Sequence, residues 1–188
     1  MLLNKNKLYS YNSYNRIQEN LATNVINNSL YQRSHYDIFL SHSYDDRDYI
    51  GNLFDLLSGY GYKVYVDWIV DKTLVRGKVN KNTAAILKCR MSQCSCLLFV
   101  ASDNTPDSKW MPWELGYFDG LKNGKVAILP IVEGEKYSYE GQEYLGLYPY
   151  ISEAEFAYRK EKTLWVNENN SKYIDLKSWL DGAELIVH

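Results

Sequence analysis

The feature that most constrains the fold is the alternation of short apolar runs with longer segments of helical periodicity. The runs are short enough for buried strands, and the first ends in polar residues, as parallel strands often do. Between the runs, apolar residues recur at the spacing of amphipathic helices. This alternation predicts an α/β fold with a mainly parallel sheet. The predicted strands are residues 36–41, 63–66, 95–100 and 126–132.

Composition and pattern divide the chain into three parts. Residues 1–34 are rich in Asn, Tyr and Ser and form an N-terminal extension that is predicted to be partly helical. Residues 35–135 form the core of the domain. Residues 136–188 complete it with an irregular insert, a strand at 164–166 and a last helix over 173–180. The helical spacing in the extension comes from Ile17, Leu21, Val25 and Ile26.

Charge and composition exclude several kinds of partner. The net charge is −2 and no basic stripe is present, so nucleic acid is not expected as a partner. No apolar stretch approaches the roughly 20 residues of a membrane span, and no signal-peptide pattern is found, so we expect a cytoplasmic protein without a membrane. The cysteines Cys89, Cys94 and Cys96 lack metal-ligand spacing. We therefore expect no metal, a reducing compartment and buried structural thiols at 94 and 96.

Polar residues gather where a site is expected in such a sheet. In open α/β sheets, ligands bind beyond the carboxyl ends of the strands, where the strand order reverses. Polar side chains follow three of the predicted strands there, and the loop after the third strand leads into a helix that carries a glutamate. The candidates are Ser41, His42, Ser43, Asp67, Trp68, Ser102, Asp103 and Glu114.

Glu114 is the most informative of these candidates. It shares one helical stripe with Trp110, Phe118 and Leu121, where a carboxylate is out of place if the stripe is only core. It also follows Pro112 near the first turn, where the helix dipole favours a negative charge. Glu114 is therefore either a site residue or an ordinary first-turn acid, and the pattern alone leaves both open.

Three other candidates have two interpretations each. Trp68 either stacks on a base or ring of a ligand, or packs its polar loop against the domain. Arg76 either binds a phosphate through its planar fork or forms an ion pair with Asp67 or Asp71, which is the simpler interpretation. His42 is either an acid or base, or a residue that is merely hydrogen-bonded at the end of a strand.

Several established motifs are absent. No GxGxxG follows a strand, and the chain has neither a Walker A sequence nor a GxSxG elbow. Gly59-Tyr-Gly61 lies between a helix and a strand and predicts a helix cap and turn. A response-regulator receiver would need an aspartate after the third strand, which Asp103 matches loosely, and a lysine after the fifth, which no residue matches.

Four segments carry a family resemblance in their order and spacing. They are YDIFLSHS at 36–43, YVD at 65–67 before a polar loop, SKWMPWEL at 108–115 and VAILP at 126–130. They resemble the first box, the second strand with its BB loop, the helix start S-x-W-x-x-x-E-L and the next strand of the TIR (Toll/interleukin-1 receptor) domain. The resemblance covers residues 35–135, and its third segment matches the catalytic glutamate of enzymatic TIR domains.

The resemblance implies a fold and an activity. The fold would be flavodoxin-like, with a central parallel sheet of about five strands in the order 2-1-3-4-5 and helices on both faces. The activity would be cleavage of the nicotinamide–ribose bond of NAD, the substrate, with no separate cofactor and with Glu114 as the catalytic carboxylate. The chain looks like the NAD-consuming proteins of Thoeris-like antiphage defence. Their product, a cyclic ADP-ribose isomer or related signal, activates a separate effector.

The resemblance also implies which residues surround the substrate. In such proteins the pocket lies between the first strand and the BB loop, often completed by a neighbouring subunit through TIR self-association. Ser41, His42 and Ser43 would lie around the ribose or phosphates, and Trp68 near nicotinamide or adenine. Arg76 would be a phosphate ligand. Ser102 and Trp110 complete the predicted substrate-binding set.

Two alternatives to the enzyme stay open. The chain could be a non-enzymatic TIR module that assembles with other TIR domains, or a TIR-mimicking effector that blocks host signalling. Adaptor TIR domains usually lack the glutamate, so Glu114 favours the enzyme. The N-terminal extension and the long tail after residue 132 depart from typical members.

Overall fold

The computed structural model describes residues 1–10, 35–71, 74, 80–139, 143–156 and 159–188. Within these residues, one sheet of nine strands forms the centre of the molecule. Its strands are β1 (Leu3–Asn4), β2 (Tyr36–Ser41), β3 (Val64–Tyr65), β4 (Cys94–Ala101), β5 (Val126–Val132), β6 (Tyr150–Phe156), β7 (Arg159–Asn167), β8 (Lys172–Asp175) and β9 (Ile186–Val187).

The helices lie between the strands, as the alternating pattern predicts. Asn80 starts one of them by accepting a 2.8 Å hydrogen bond from the Thr83 N–H. Another ends at Gly59, and Gly61 follows with a φ of +90°, so the predicted cap and turn are confirmed. The helices are α1 (Lys5–Ser10), α2 (Arg47–Gly59), α3 (Asp67–Val70), α4 (Lys81–Ser92), α5 (Met111–Lys122) and α6 (Leu176–Leu180).

The order of the strands confirms the predicted topology. The neighbours are β3, β2, β4, β5 and β6, and all of these pairs are parallel. With β2 counted as the first strand, this is the order 2-1-3-4-5. The chain leaves β2 for β3 on one side and later returns to β4 on its other side. The strand order therefore reverses between β2 and β4, and a ligand site is expected at their carboxyl ends.

The sheet is larger than the predicted five strands, and the C-terminal prediction was wrong in detail. The fifth parallel strand is β6, in a segment predicted to be irregular, whereas residues 164–166 lie in the antiparallel β7. The predicted helix over 173–180 is β8 followed by α6. In β6 only the first three residues are buried. Within a half-exposed antiparallel strand, charged residues alternate with apolar residues, so no continuous apolar run marks the strand in the sequence.

The first ten residues belong to the sheet domain rather than to an extension. Leu3 and Asn4 pair in parallel with Ile131 and Val132 of β5. Leu2, just before β1, and Leu8, in α1, are also buried, and they pack in the two apolar clusters of the domain. The helix predicted from Ile17 to Ile26 lies outside the described residues.

Two apolar clusters cover the two faces of the sheet. One contains Ile38 and Leu40 and packs with α2 and α6, while the other contains Phe39 and packs with α4 and α5. Side chains alternate between faces along a strand, so Ser41 lies on the same face as Phe39. The end of β2 can therefore support groups on both faces. Across the described part of the chain, no helix is long and apolar enough to cross a membrane.

Candidate active site

Glu114 lies at the switch point of the sheet and is completely buried, with 0% of its surface exposed. The Ser41 hydroxyl, at the end of β2, donates a 2.6 Å hydrogen bond to Oε2 of Glu114. Ser41 is equally buried and pairs in register with Phe99 of β4. The strand end and the first turn of α5 thus meet at a buried carboxylate.

The start of α5 explains how the sequence places this carboxylate. Pro112 lies in the first turn, and the Glu114 N–H donates a 2.8 Å bond to the Trp110 carbonyl. The buried face of the helix is formed by Met111, Glu114, Leu115 and Phe118. Leu121, predicted to share the stripe, is 41% exposed. Burying a carboxylate among apolar side chains is costly, so its burial favours a site role over that of an ordinary first-turn acid.

His42 and Trp68 form a second part of the site. The His42 ring is 2% exposed, and its Nδ1 lies 2.9 Å from the Leu40 carbonyl oxygen. The indole Nε1–H of Trp68 donates a 3.2 Å bond to Nε2 of His42. Asp67, also buried, places Oδ1 3.6 Å from the same Nε2. Trp68 lies on the short helix α3, not in a plain loop, and is half-buried.

Arg47 is a neighbour of Trp68 that the sequence did not indicate, and it also contacts Tyr44. The Arg47 guanidinium lies 4.4 Å from the centre of the Tyr44 ring and 5.2 Å from the centre of the Trp68 ring. Both residues are exposed, and such cation–π contacts hold aromatic side chains in place. A cation and an aromatic residue just after the first box could have been a signal for this contact.

Ser102 contacts another residue that was missed, Asp46. Its hydroxyl donates a 2.6 Å bond to Asp46 Oδ2, and the Asn104 amide donates a 2.7 Å bond to Oδ1. Asp46 is 1% exposed and precedes α2 without capping it through its side chain. Asp46 therefore ties the loop after β2 to the loop after β4.

Ser43 and Trp110, two further residues of the predicted site, are both buried. Ser43 is 2% exposed, and its carbonyl accepts the Asp46 N–H at 3.2 Å. Trp110 is 7% exposed and packs edge-on against Trp113. Arg76 lies outside the described residues.

The candidate partner of Arg76, Asp71, already has a cation beside it. Arg90 donates two hydrogen bonds to the Asp71 carboxylate, at 2.9 and 2.7 Å. The Tyr65 hydroxyl donates a third, at 2.8 Å. Asp71 is therefore part of a buried structural ion pair between α4 and the segment after α3.

The residues around Glu114 and Trp68 can stabilise a positive charge and bind a planar ring. A buried carboxylate held by a hydroxyl stabilises a positive charge that develops nearby, because few water molecules screen it. A half-buried indole at the adjacent strand end offers a face for stacking on a planar ring. Among the residues that the structure describes, no three His, Cys, Asp or Glu side chains are grouped as metal ligands would be.

Comparison with known proteins shows the family of the chain and two of its relatives. The TIR domain family model matches residues 38–161. The chain is 44% identical over 183 residues to the protein of Bacillus cereus (strain MSX-D12) named "Probable 3' cyclic ADP-D-ribose synthase ThsB'", covering 95% of this chain and 94% of that protein.

A second relative matches over a shorter region. It is the protein of Cytobacillus dafuensis named "Putative cyclic ADP-D-ribose synthase TIR2", which is 33% identical over 98 residues. The match covers 52% of this chain and 26% of that protein. The family model matches more than half of the chain, and the strand order agrees with it, so the chain belongs to the TIR domain family.

Proposed function

We propose that this chain is an NAD-cleaving TIR enzyme that forms a cyclic ADP-ribose isomer as a signal in bacterial antiphage defence. The observation that carries the proposal is the fully buried Glu114 carboxylate, bonded to Ser41 at the switch point of the sheet. The two relatives are named for cyclic ADP-D-ribose synthesis, and the first aligns with 95% of the chain.

The first step needs only one carboxylate. When the nicotinamide–ribose bond breaks, its electron pair goes to the pyridinium nitrogen, so nicotinamide leaves as a neutral molecule without taking a proton. The ribose carbon becomes oxocarbenium-like, and the Glu114 carboxylate stabilises its charge. Glycosidases need a second carboxyl group to protonate their leaving group, whereas this reaction does not.

The second step decides the product. In cyclisation, a hydroxyl of the same ADP-ribose attacks the anomeric carbon and releases its proton, so a ring closes without water. Attack by water would give ADP-ribose instead, and exclusion of water favours the ring. We infer the 3' cyclic isomer as product, because the relative with 44% identity is named for it.

The contacts suggest separate tasks for the residues around Glu114. Ser41 holds the carboxylate, and Trp68 stacks on the nicotinamide or adenine ring. His42 and Ser43 lie beside them at the end of β2, and Ser102 and Trp110 support the walls of the site. Arg76 remains the proposed phosphate ligand.

The proposal extends to partners. Self-association of TIR domains would complete the substrate pocket with a neighbouring subunit. A separate effector would bind the cyclic product, and both proteins would act in the cytoplasm.

The product identifies the reaction. Concentrated protein is incubated with NAD, the products are separated by chromatography, and their molecular masses are measured by mass spectrometry. We expect nicotinamide and a product one water lighter than ADP-ribose that elutes with a 3' cyclic standard. ADP-ribose alone would make the chain a glycohydrolase. No nicotinamide, even under crowding, would favour a non-enzymatic TIR scaffold.

A further inference from the structure

We propose that His42 is a positioning residue, whose neutral ring accepts the hydrogen bond that orients the indole of Trp68. In this role His42 does not contact the substrate. The inference rests on the proposed function in one respect, because it takes Trp68 to be the side chain that touches NAD. The hydrogen bond itself is independent of any activity and can be tested without NAD.

Two contacts of the His42 ring assign the same tautomer. The Leu40 carbonyl oxygen, 2.9 Å from Nδ1, can only accept, so Nδ1 carries the proton. The indole N–H of Trp68 can only donate, so Nε2, 3.2 Å away, offers its lone pair. A proton on Nε2 would occupy this lone pair, so that Nε2 could no longer accept from Trp68 and would present an N–H near Asp67 Oδ1, 3.6 Å away.

Trp68 depends on this acceptor because its own element is short. Helix α3 has four residues, and a single helical turn has little stability of its own. The indole also packs against the apolar cluster that contains Ile38 and Leu40, and the exposed Arg47 guanidinium lies 5.2 Å from its centre. Apolar packing does not fix the direction of the indole N–H, whereas His42, 2% exposed at the end of a central strand, accepts its hydrogen bond directly.

The same strand end positions both parts of the site. Ser41 and His42 are consecutive, and Ser41 holds Glu114 while His42 holds Trp68. The relative placement of the carboxylate and the indole is therefore set by one peptide unit. A change at His42 is expected to move the indole while the carboxylate stays in place.

A first experiment detects the hydrogen bond in the intact chain. The protein has five tryptophans, so ¹⁵N-labelled indoles give five N–H resonances. Trp68→Phe identifies the Trp68 resonance. In His42→Leu we expect that resonance to move upfield and its proton to exchange faster with solvent. His42→Gln can place an oxygen near the former position of Nε2. In this variant we expect the resonance to move part of the way back downfield and its proton to exchange more slowly than in His42→Leu.

The other four indole resonances report on folding, so a misfolded variant is recognised. If they are unchanged and the Trp68 resonance is also unchanged in His42→Leu, the hydrogen bond does not hold the indole and the inference is wrong.

A second experiment links the bond to NAD cleavage through a double-mutant cycle. His42→Leu is expected to lower kcat/KM about three- to tenfold, mainly through KM, the range of one lost hydrogen bond. In the Trp68→Phe background, the same change should alter kcat/KM less than twofold, because no N–H remains to be held.

An equal loss in both backgrounds would show that His42 acts directly on the substrate and would overturn the inference. A wild-type chain that releases no nicotinamide would overturn the proposed function, and with it the role in catalysis. The indole resonances would still decide whether His42 holds Trp68.

Discussion

The hydroxyl of Ser41 donates a 2.6 Å hydrogen bond to Oε2 of Glu114, across 73 residues of sequence. Both side chains are fully buried. A hydrogen bond between groups that are shielded from water is stronger than one in water, and this one fixes the Glu114 side chain at the point where β2 meets α5.

Ser41→Ala tests this relationship. The carboxylate loses a hydrogen-bond donor, so we expect kcat for NAD cleavage to fall about 10- to 100-fold, the range for a hydrogen bond to a charged group. Steady-state kinetics measure the effect. The control is Ser92→Ala, because Ser92 is exposed and its hydroxyl bonds only the Cys89 carbonyl of its own helix among the described residues. An unchanged kcat in Ser41→Ala would mean that the bond has no part in the reaction.

Asp46 joins the loop after β2 to the loop after β4, and its removal should destabilise the domain. In Asp46→Ala, the Ser102 hydroxyl and the Asn104 amide lose their acceptor. We expect the free energy of unfolding in urea to fall by about 2–3 kcal/mol. The matched control is Asp45→Ala at the adjacent, exposed position, which should change it by less than about 0.5 kcal/mol. Equal effects at both positions would contradict the loop-tying role.

The ion pair of Asp71 and Arg90 predicts a larger effect. Both side chains are 9% exposed, and hydrogen bonding to Asp71 raises the pKa of Arg90, so its charge persists. Asp71→Asn leaves this cation without its charged partner. We expect the free energy of unfolding, measured in urea, to fall by about 3–5 kcal/mol.

An exposed ion pair provides the comparison. Lys172 and Glu168 form an i,i+4 pair with 37% and 52% exposed side chains. Glu168→Gln should therefore cost less than about 1 kcal/mol. Similar losses in the two variants would argue against a special role for the buried pair.

Thiol reactivity tests the packing of the sheet. Burial raises the pKa of Cys94 and of Cys96, so both thiols stay protonated and covered at pH 8, whereas Cys89 is exposed. A thiol reagent at pH 8 should therefore label one cysteine in the native protein and three in denaturant. Rapid native labelling of a second thiol, located by peptide mass, would contradict the buried position of β4.

The parallel strands at the centre of the sheet were predictable from sequence for a physical reason. Strands such as β4 and β5 are buried on both faces, so each appears as a continuous apolar run. β6 and β7 are half-exposed, and their charged residues hide the pattern. The first ten residues were misassigned because a two-residue strand such as β1 has no periodicity to detect.

The unusual position of the Glu114 carboxylate was predictable from sequence, but the contacts around it were not. Glu114 was marked by an acid on an apolar helical stripe, and its burial follows from that position. Ser102 was correctly placed at the end of a strand, but its partner Asp46 lies 56 residues away in sequence. Arg47 beside Trp68 was missed for the same reason, since only the folded chain brings α2 and α3 together.

The most direct test of the account compares nicotinamide release from NAD by the wild-type chain and by Glu114→Gln, which keeps the shape of the side chain but removes its charge. Glu184→Gln, at an exposed position, is the control and should stay within about twofold of wild type. We predict that release by Glu114→Gln falls by at least about a hundredfold while the protein stays folded. Equal release by both proteins would contradict the assignment of Glu114 as the catalytic carboxylate.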